Sequence, residues 1–96
     1  MREYIFLHHS DGAEDSEPHW EGYLSGLKAS GRFDGGSSIG DGECVRKSGM
    51  APPISGQIGG YIRVRARDLE DAKTLLPGNP VYESGGTVEI RELPKD

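Results

Sequence analysis

Apolar and polar positions along this chain alternate in blocks. The first block, Tyr4-Ile5-Phe6-Leu7, contains β-forming residues and no breaker, and it predicts a strand over 1–9. It is apolar on both faces, as expected for a covered strand. Ser10 to Ser16 is polar, contains Gly12 and reads as a loop. Trp20, Tyr23, Leu24 and Leu27 then fall at i, i+3, i+4 and i+7, the stripe of an amphipathic helix. Ser16 is its expected N-cap, with Glu17 and Pro18 in the first turn, and Gly31 is its C′ stop. Gly22 and Gly26 share one face of that helix, and the close approach of another backbone is the expected offset to their poor helix propensity.

Beyond Gly31 the pattern shortens. Arg32–Ile39 predicts a second strand, weakened by Gly35-Gly36. A turn and a short extra strand around Cys44–Lys47 follow, then a Pro/Gly/Ser loop over 50–59. Tyr61–Ala66 alternates with period two, Ile62, Val64 and Ala66 on one face and Tyr61, Arg63 and Arg65 on the other. Asp68 caps a second helix with Asp71 at the capping-box position, Leu69, Ala72, Leu75 and Leu76 form its apolar side, and Pro77-Gly78 ends it. Thr87–Leu93 is the last strand. The order β-α-β-(β)-β-α-β, without a repeat, predicts one α+β domain over residues 1–96, a ferredoxin-like split βαβ sandwich with an extra short hairpin strand. Ile5, Leu7, Ile62, Val64, Val88 and Ile90 are expected under the helices. Tyr4, Phe6, His8, Tyr61, Arg63, Arg65, Glu89 and Arg91 are expected on the opposite face.

Two helices cover only one face of a sheet. Leu, Ile, Val and Phe are 19 of 96 residues, a thin core that a second copy of the chain would enlarge. The expected partner is therefore the chain itself, as a homodimer. Eleven Lys and Arg against 16 Asp and Glu give a net charge of -5, which excludes a nucleic-acid surface. No apolar run approaches the ~18 residues of a membrane span, and residues 1–7 are too short and charged for a signal peptide. A lone Cys44 points to a reducing, cytoplasmic setting. Three scattered histidines and one cysteine have no ligand spacing, so no metal is expected, and no cofactor motif is present.

Trp20-x2-Tyr23-Leu24-x2-Leu27-x3-Gly31-Arg32-Phe33-x-Gly35-Gly36 resembles the first helix and following turn of the YCII-related (DGPF-domain) family. Gly59-Gly60-Tyr61-Ile62-Arg63-Val64, Asp68-Leu69-Glu70-Asp71-Ala72 and Gly85-Gly86-Thr87-Val88-Glu89-Ile90-Arg91 resemble its second half, in the family's order. The resemblance implies a ferredoxin-like fold pairing into a dimeric α/β barrel, and in some members a His-Asp acid–base pair. Trp20 stands where the family has its helix histidine, and His19 is one residue early. Ser30 stands where the Asp is expected, and Asp34 is the nearest carboxylate.

The expected acid–base residues are accordingly His19 or His8, with Asp34 as orienting carboxylate. His8 and His9, being neighbours in a strand, are expected to face opposite ways, so that only one enters a pocket. Arg63, with Tyr61 and Arg65, is the expected binder of a small anionic metabolite. Two functional classes follow. One is a cofactor-free enzyme doing proton transfer in a dimer-associated cleft. The other is a noncatalytic, ligand-binding or stress-associated dimeric domain.

Overall fold

The computed structural model describes residues 1–12 and 19–95. The expected helix start at Ser16, Glu17 and Pro18 lies outside the described residues. Strand β1 (Arg2–His9) pairs antiparallel with β3 (Ile58–Ala66) on one side and β4 (Val88–Leu93) on the other, and β2 (Phe33–Ser38) adds antiparallel to the far side of β3. The sheet order is β2-β3-β1-β4. With helix α1 (Trp20–Ala29) crossing from β1 to β2, and α2 (Leu69–Lys73) and α3 (Pro80–Glu83) from β3 to β4, this is the split βαβ arrangement.

The register decides which face of β1 goes inside. Phe6 lies opposite Ile62 and Ile90, and Tyr4 opposite Val64. The core is Tyr4, Phe6, Leu27, Ile62, Val64, Ala66 and Ala72. Thus β1 is inverted relative to the sequence expectation. Tyr4, Phe6 and His8 are buried beneath the helices, and Ile5 and Leu7 share the open face with Tyr61, Arg63, Arg65 and Arg91. β1 is apolar on both faces, so period two alone could not choose. The long-range register decides, and it places Tyr4 and Phe6 in the core beneath the three helices.

The local signals mostly act as read. Gly31, at φ +76°, follows the C-cap Ser30. Its amide donates to the Lys28 carbonyl and the Arg32 amide to the Leu27 carbonyl, the two bonds of a Schellman ending. Asp68 caps α2 by accepting from the Asp71 amide at 2.8 Å. The Asp71 carboxylate is buried and accepts from the Arg67 amide at 2.9 Å and the Arg32 guanidinium at 3.0 Å. The Arg67 amide, then the two guanidiniums, hold it down to about 2. At Gly36 the sheet leaves no room for a side chain, because a Cβ would meet the Tyr61 carbonyl oxygen and the Ile62 side chain.

Three expectations change. The strand expected around Cys44–Lys47 does not form. Residues 40–57 have no strand and are almost wholly exposed, and Cys44 bonds across to the Pro53 carbonyl at 3.6 Å. Flanking glycines and Pro52-Pro53 break any ladder there. Gly22 and Gly26 face open space, with no described atom within 4 Å of a Cβ placed on either. Finally, α2 stops at Lys73, and Asn79-Pro80 starts the separate α3. An Asn N-cap followed by Pro at the first helical position is the signal for that start.

Candidate functional site

A cavity of about 450 Å³ opens between the N-terminal end of α1 and one end of the sheet. Trp20 and Leu24 come from α1, Phe33 and Ser38 from β2, Ile62 from β3, and Val81 from α3. His8 and His9 both border it. They face opposite ways, as expected of strand neighbours, His8 into the interior and His9 to the side of Glu89, and both reach the cavity at the end of β1. The register slips between His8, opposite Gly60, and His9, opposite Ile58. Gly59 is the extra residue of a bulge, and bulges at strand ends re-aim side chains.

His8 is buried and fully engaged. Its Nε2 lies 3.0 Å from Asn79 Nδ2. Asn79 is completely buried, and its Oδ1 accepts from the amides of Val81 (3.0 Å) and Tyr82 (3.2 Å) at the start of α3. Those two donors fix the carboxamide orientation, so its NH2 faces His8 and Nε2 must accept. A further hydrogen bond joins Asn79 to the Tyr23 hydroxyl, which donates to the Leu75 carbonyl at 2.7 Å. Burial raises the Tyr23 phenol, against that Asn79 bond. Trp20 packs edge-on to the His8 ring, with centroids 5.0 Å apart. Burial pushes His8 down to about 4, outweighing a hydrogen bond to the Gly60 backbone that raises it. His8 is therefore a neutral wall of the cavity, with its proton on Nδ1.

This sets a pH dependence of stability. The unfolded chain binds a proton on His8 below about 6.5, and the folded chain only below about 4. Stability is therefore constant above pH 6.5 as far as His8 is concerned, and falls as pH drops from 6.5 to 4. The full shift corresponds to about 3 kcal/mol. Urea unfolding at pH 7.5 and 4.5 is expected to show that loss, and His8→Gln to flatten it.

His9 sits differently. Its Nε2 is 3.0 Å from Glu89 Oε1, and the other oxygen of Glu89 accepts from Arg91 at 3.2 Å. His9, then Arg91, lowers the Glu89 carboxyl. The His9 amide donates to the Thr87 carbonyl at 2.9 Å. Asp11 clamps the same place, accepting from the Thr87 amide at 2.8 Å and its hydroxyl at 2.7 Å, and those bonds lower its carboxyl. A carboxylate on Nε2 fixes the tautomer with Nε2–H and leaves Nδ1 as the lone-pair nitrogen. Such an imidazole can take a proton and return it.

The residues singled out from sequence are dispersed. His8 and Tyr61 border the cavity. His19 is exposed at the helix start and makes no side-chain cap bond. Asp34 is turned to Arg65, with Oδ1 3.1 Å from Nε. Arg63 donates to the Asp34 carbonyl and Arg65 to the Gly31 carbonyl, both at 2.6 Å. These arginines tie down the start of β2 and do not border the cavity. The His9–Glu89 pair was hidden by the inversion of β1. Once Leu7 is placed opposite Glu89, His9 is Glu89's diagonal neighbour on the same face. Among the described residues no three His, Cys, Asp or Glu side chains converge as a metal site.

A four-stranded antiparallel sheet in this order, two-layered with its helices and holding a pocket at one end, defines a ferredoxin-like α+β protein. The chain belongs to the YCII-related family, whose domain model matches residues 4–94. It is similar in structure to the 5-chloro-2-hydroxyhydroquinone dehydrochlorinase of Burkholderia phenoliruptrix AC1100, solved in complex with 2,5-dihydroxybenzoquinone. The TM-score is 0.58 at 15% identity, over 100% of this chain and 96% of that one, a likeness of fold. No curated protein matches the sequence. Among the described residues, no helix is long and apolar enough to cross a membrane.

Proposed function

We propose that this protein is a cofactor-free enzyme that moves a proton on a small molecule held in the cavity. The observation that carries the proposal is the 3.0 Å His9–Glu89 contact at the cavity rim. His9 abstracts the proton through Nδ1 and returns it, and Glu89 positions the ring and offsets the positive charge it gains. The structural likeness to a dehydrochlorinase, an enzyme of small ring compounds by its name, supports the reading at the level of fold. The test is deuterium uptake. A panel of small phenols and ketones is incubated with the protein in D2O and followed by NMR. Wild type accelerates exchange at an acidic C–H, and His9→Gln does not. A protein that binds a panel member without accelerating its exchange is instead the noncatalytic binding domain, a reading that the engaged nitrogens of His8 favour.

The same proposal includes a homodimer closed over the open sheet face, in a reducing, cytoplasmic setting that suits the exposed Cys44. Ile5, Leu7 and Tyr61 form a half-buried apolar strip there, framed by Arg63, Arg65 and Arg91. Light scattering at micromolar concentration is expected to give twice 10.4 kDa, and Leu7→Arg to give the single mass. A wild-type monomer would overturn this part.

A further inference from the structure

We infer that the cavity takes an uncharged planar ring, aromatic or quinonoid, whose hydroxyl or carbonyl oxygens meet a serine-lined rim. This rests on the cavity being the seat of the proton transfer proposed above, and it names the class of substrate.

Four observations carry it. First, the described walls contain no Lys, Arg, Asp or Glu. The residues outside the described set are Ala-Glu-Asp-Ser-Glu-Pro at 13–18 and Asp at 96, and they include no Lys or Arg. A carboxylate or phosphate entering this space would lose its hydration without gaining a partner, which costs several kcal/mol. The negative charge of Glu89 behind His9 adds to that cost. Lys28 lies over the Phe33 ring, 5.7 Å from its centroid, but does not border the cavity.

Second, much of the lining is apolar and aromatic. Trp20 on the helix and Phe33 on β2 supply aromatic surface from two different elements, and Leu24, Ile62 and Val81 complete the lining. Aromatic rings hold other rings by offset or edge contacts beyond what burial alone supplies. Third, the lining also carries small neutral polar groups. Ser10, Ser37 and Ser38 border the cavity with His9. The Ser37 hydroxyl already donates to the Ser38 carbonyl at 2.9 Å, so it presents lone pairs, an acceptor for a ring hydroxyl. Fourth, the volume of about 450 Å³ is at the small end of the ~300–1,000 Å³ seen for small-molecule sites. Together these features select a compact ring with a wet edge and a dry body, neutral on entry.

Trp20 is the sole tryptophan, so its indole N–H gives a single, self-assigned resonance on the cavity wall. The experiment titrates 15N-labelled protein with catechol, cyclohexane-1,2-diol and benzoate. Catechol is expected to shift that resonance saturably, at least about tenfold more tightly than either of the others. Cyclohexane-1,2-diol binding equally well would overturn the planar requirement, and benzoate binding equally well would overturn the neutral one. No saturable shift with catechol would overturn the whole inference. If catechol binds wild type but no panel compound exchanges, the ligand class stands and the acid–base reading falls. If exchange is found on carboxylates alone, the acid–base reading stands and the ligand class falls.

Discussion

Asn79→Ala is expected to destabilise the protein by about 3 kcal/mol, lowering Tm by more than about 10 °C. Three losses add up. Asn79 caps α3 through the Val81 and Tyr82 amides, and removing such a cap costs ~1 kcal/mol. His8 Nε2 is left in the interior without its donor, and Tyr23 loses a partner, for ~1–3 kcal/mol more. A void also opens at a position with no exposure at all. Asn79→Asp separates these parts. It keeps the cap, but a carboxylate has no N–H for Nε2, so His8 must carry a proton there. That variant is expected to raise His8 far above about 4 and to abolish the loss of stability between pH 6.5 and 4. Urea denaturation at several pH values reads both variants. Unfolding midpoints unchanged from wild type would show that the buried amide does not hold the helices to the sheet.

His9→Gln is expected to lower catalysed exchange by about 10²–10⁴-fold, the usual worth of a positioned acid–base group. Its binding of the ring compound should change little. Glu89→Gln preserves a hydrogen bond but not the charge, and is expected to cost about tenfold, near 1.4 kcal/mol. Removing the carboxylate leaves the ring less well positioned, so the loss falls in kcat and leaves KM in place. A purely structural Glu89 would lower the amount of folded enzyme and leave kcat per folded molecule in place. His19→Gln is expected to leave the rate within about twofold, because that ring is exposed at the start of α1.

What could be read from the chain was the local chemistry. The Ile62-Val64-Ala66 alternation, the Asp68 cap and the Gly31 ending each depend on a few neighbouring residues, and each forms where the pattern put it. What could not be read was long-range register. Tyr4-Ile5-Phe6-Leu7 is apolar on both sides, so nothing within β1 says which pair goes under the helices. That single choice moved His8 into the interior and His9 onto the face of Glu89. The residue types of Asp34 and Arg65 suit catalysis and anion binding. In the fold they satisfy each other. Asn79, followed by Pro80, carries a helix-start signal. Its second role, donating to a histidine 71 residues away, needs the tertiary structure.

The central claim is a division of labour between adjacent histidines: Asn79 holds His8 neutral, and Glu89 holds His9 with its Nδ1 free for the proton. Long-range 15N–1H spectra of the three imidazoles, assigned with the His9→Gln and His19→Gln variants, test it directly. The predicted result is a His8 ring protonated on Nδ1 only at pH 7 and still neutral near pH 5, beside a His9 ring whose Nε2 bears the hydrogen shared with Glu89. A His8 ring that is protonated on Nε2, or already an imidazolium at pH 6.5, would contradict it.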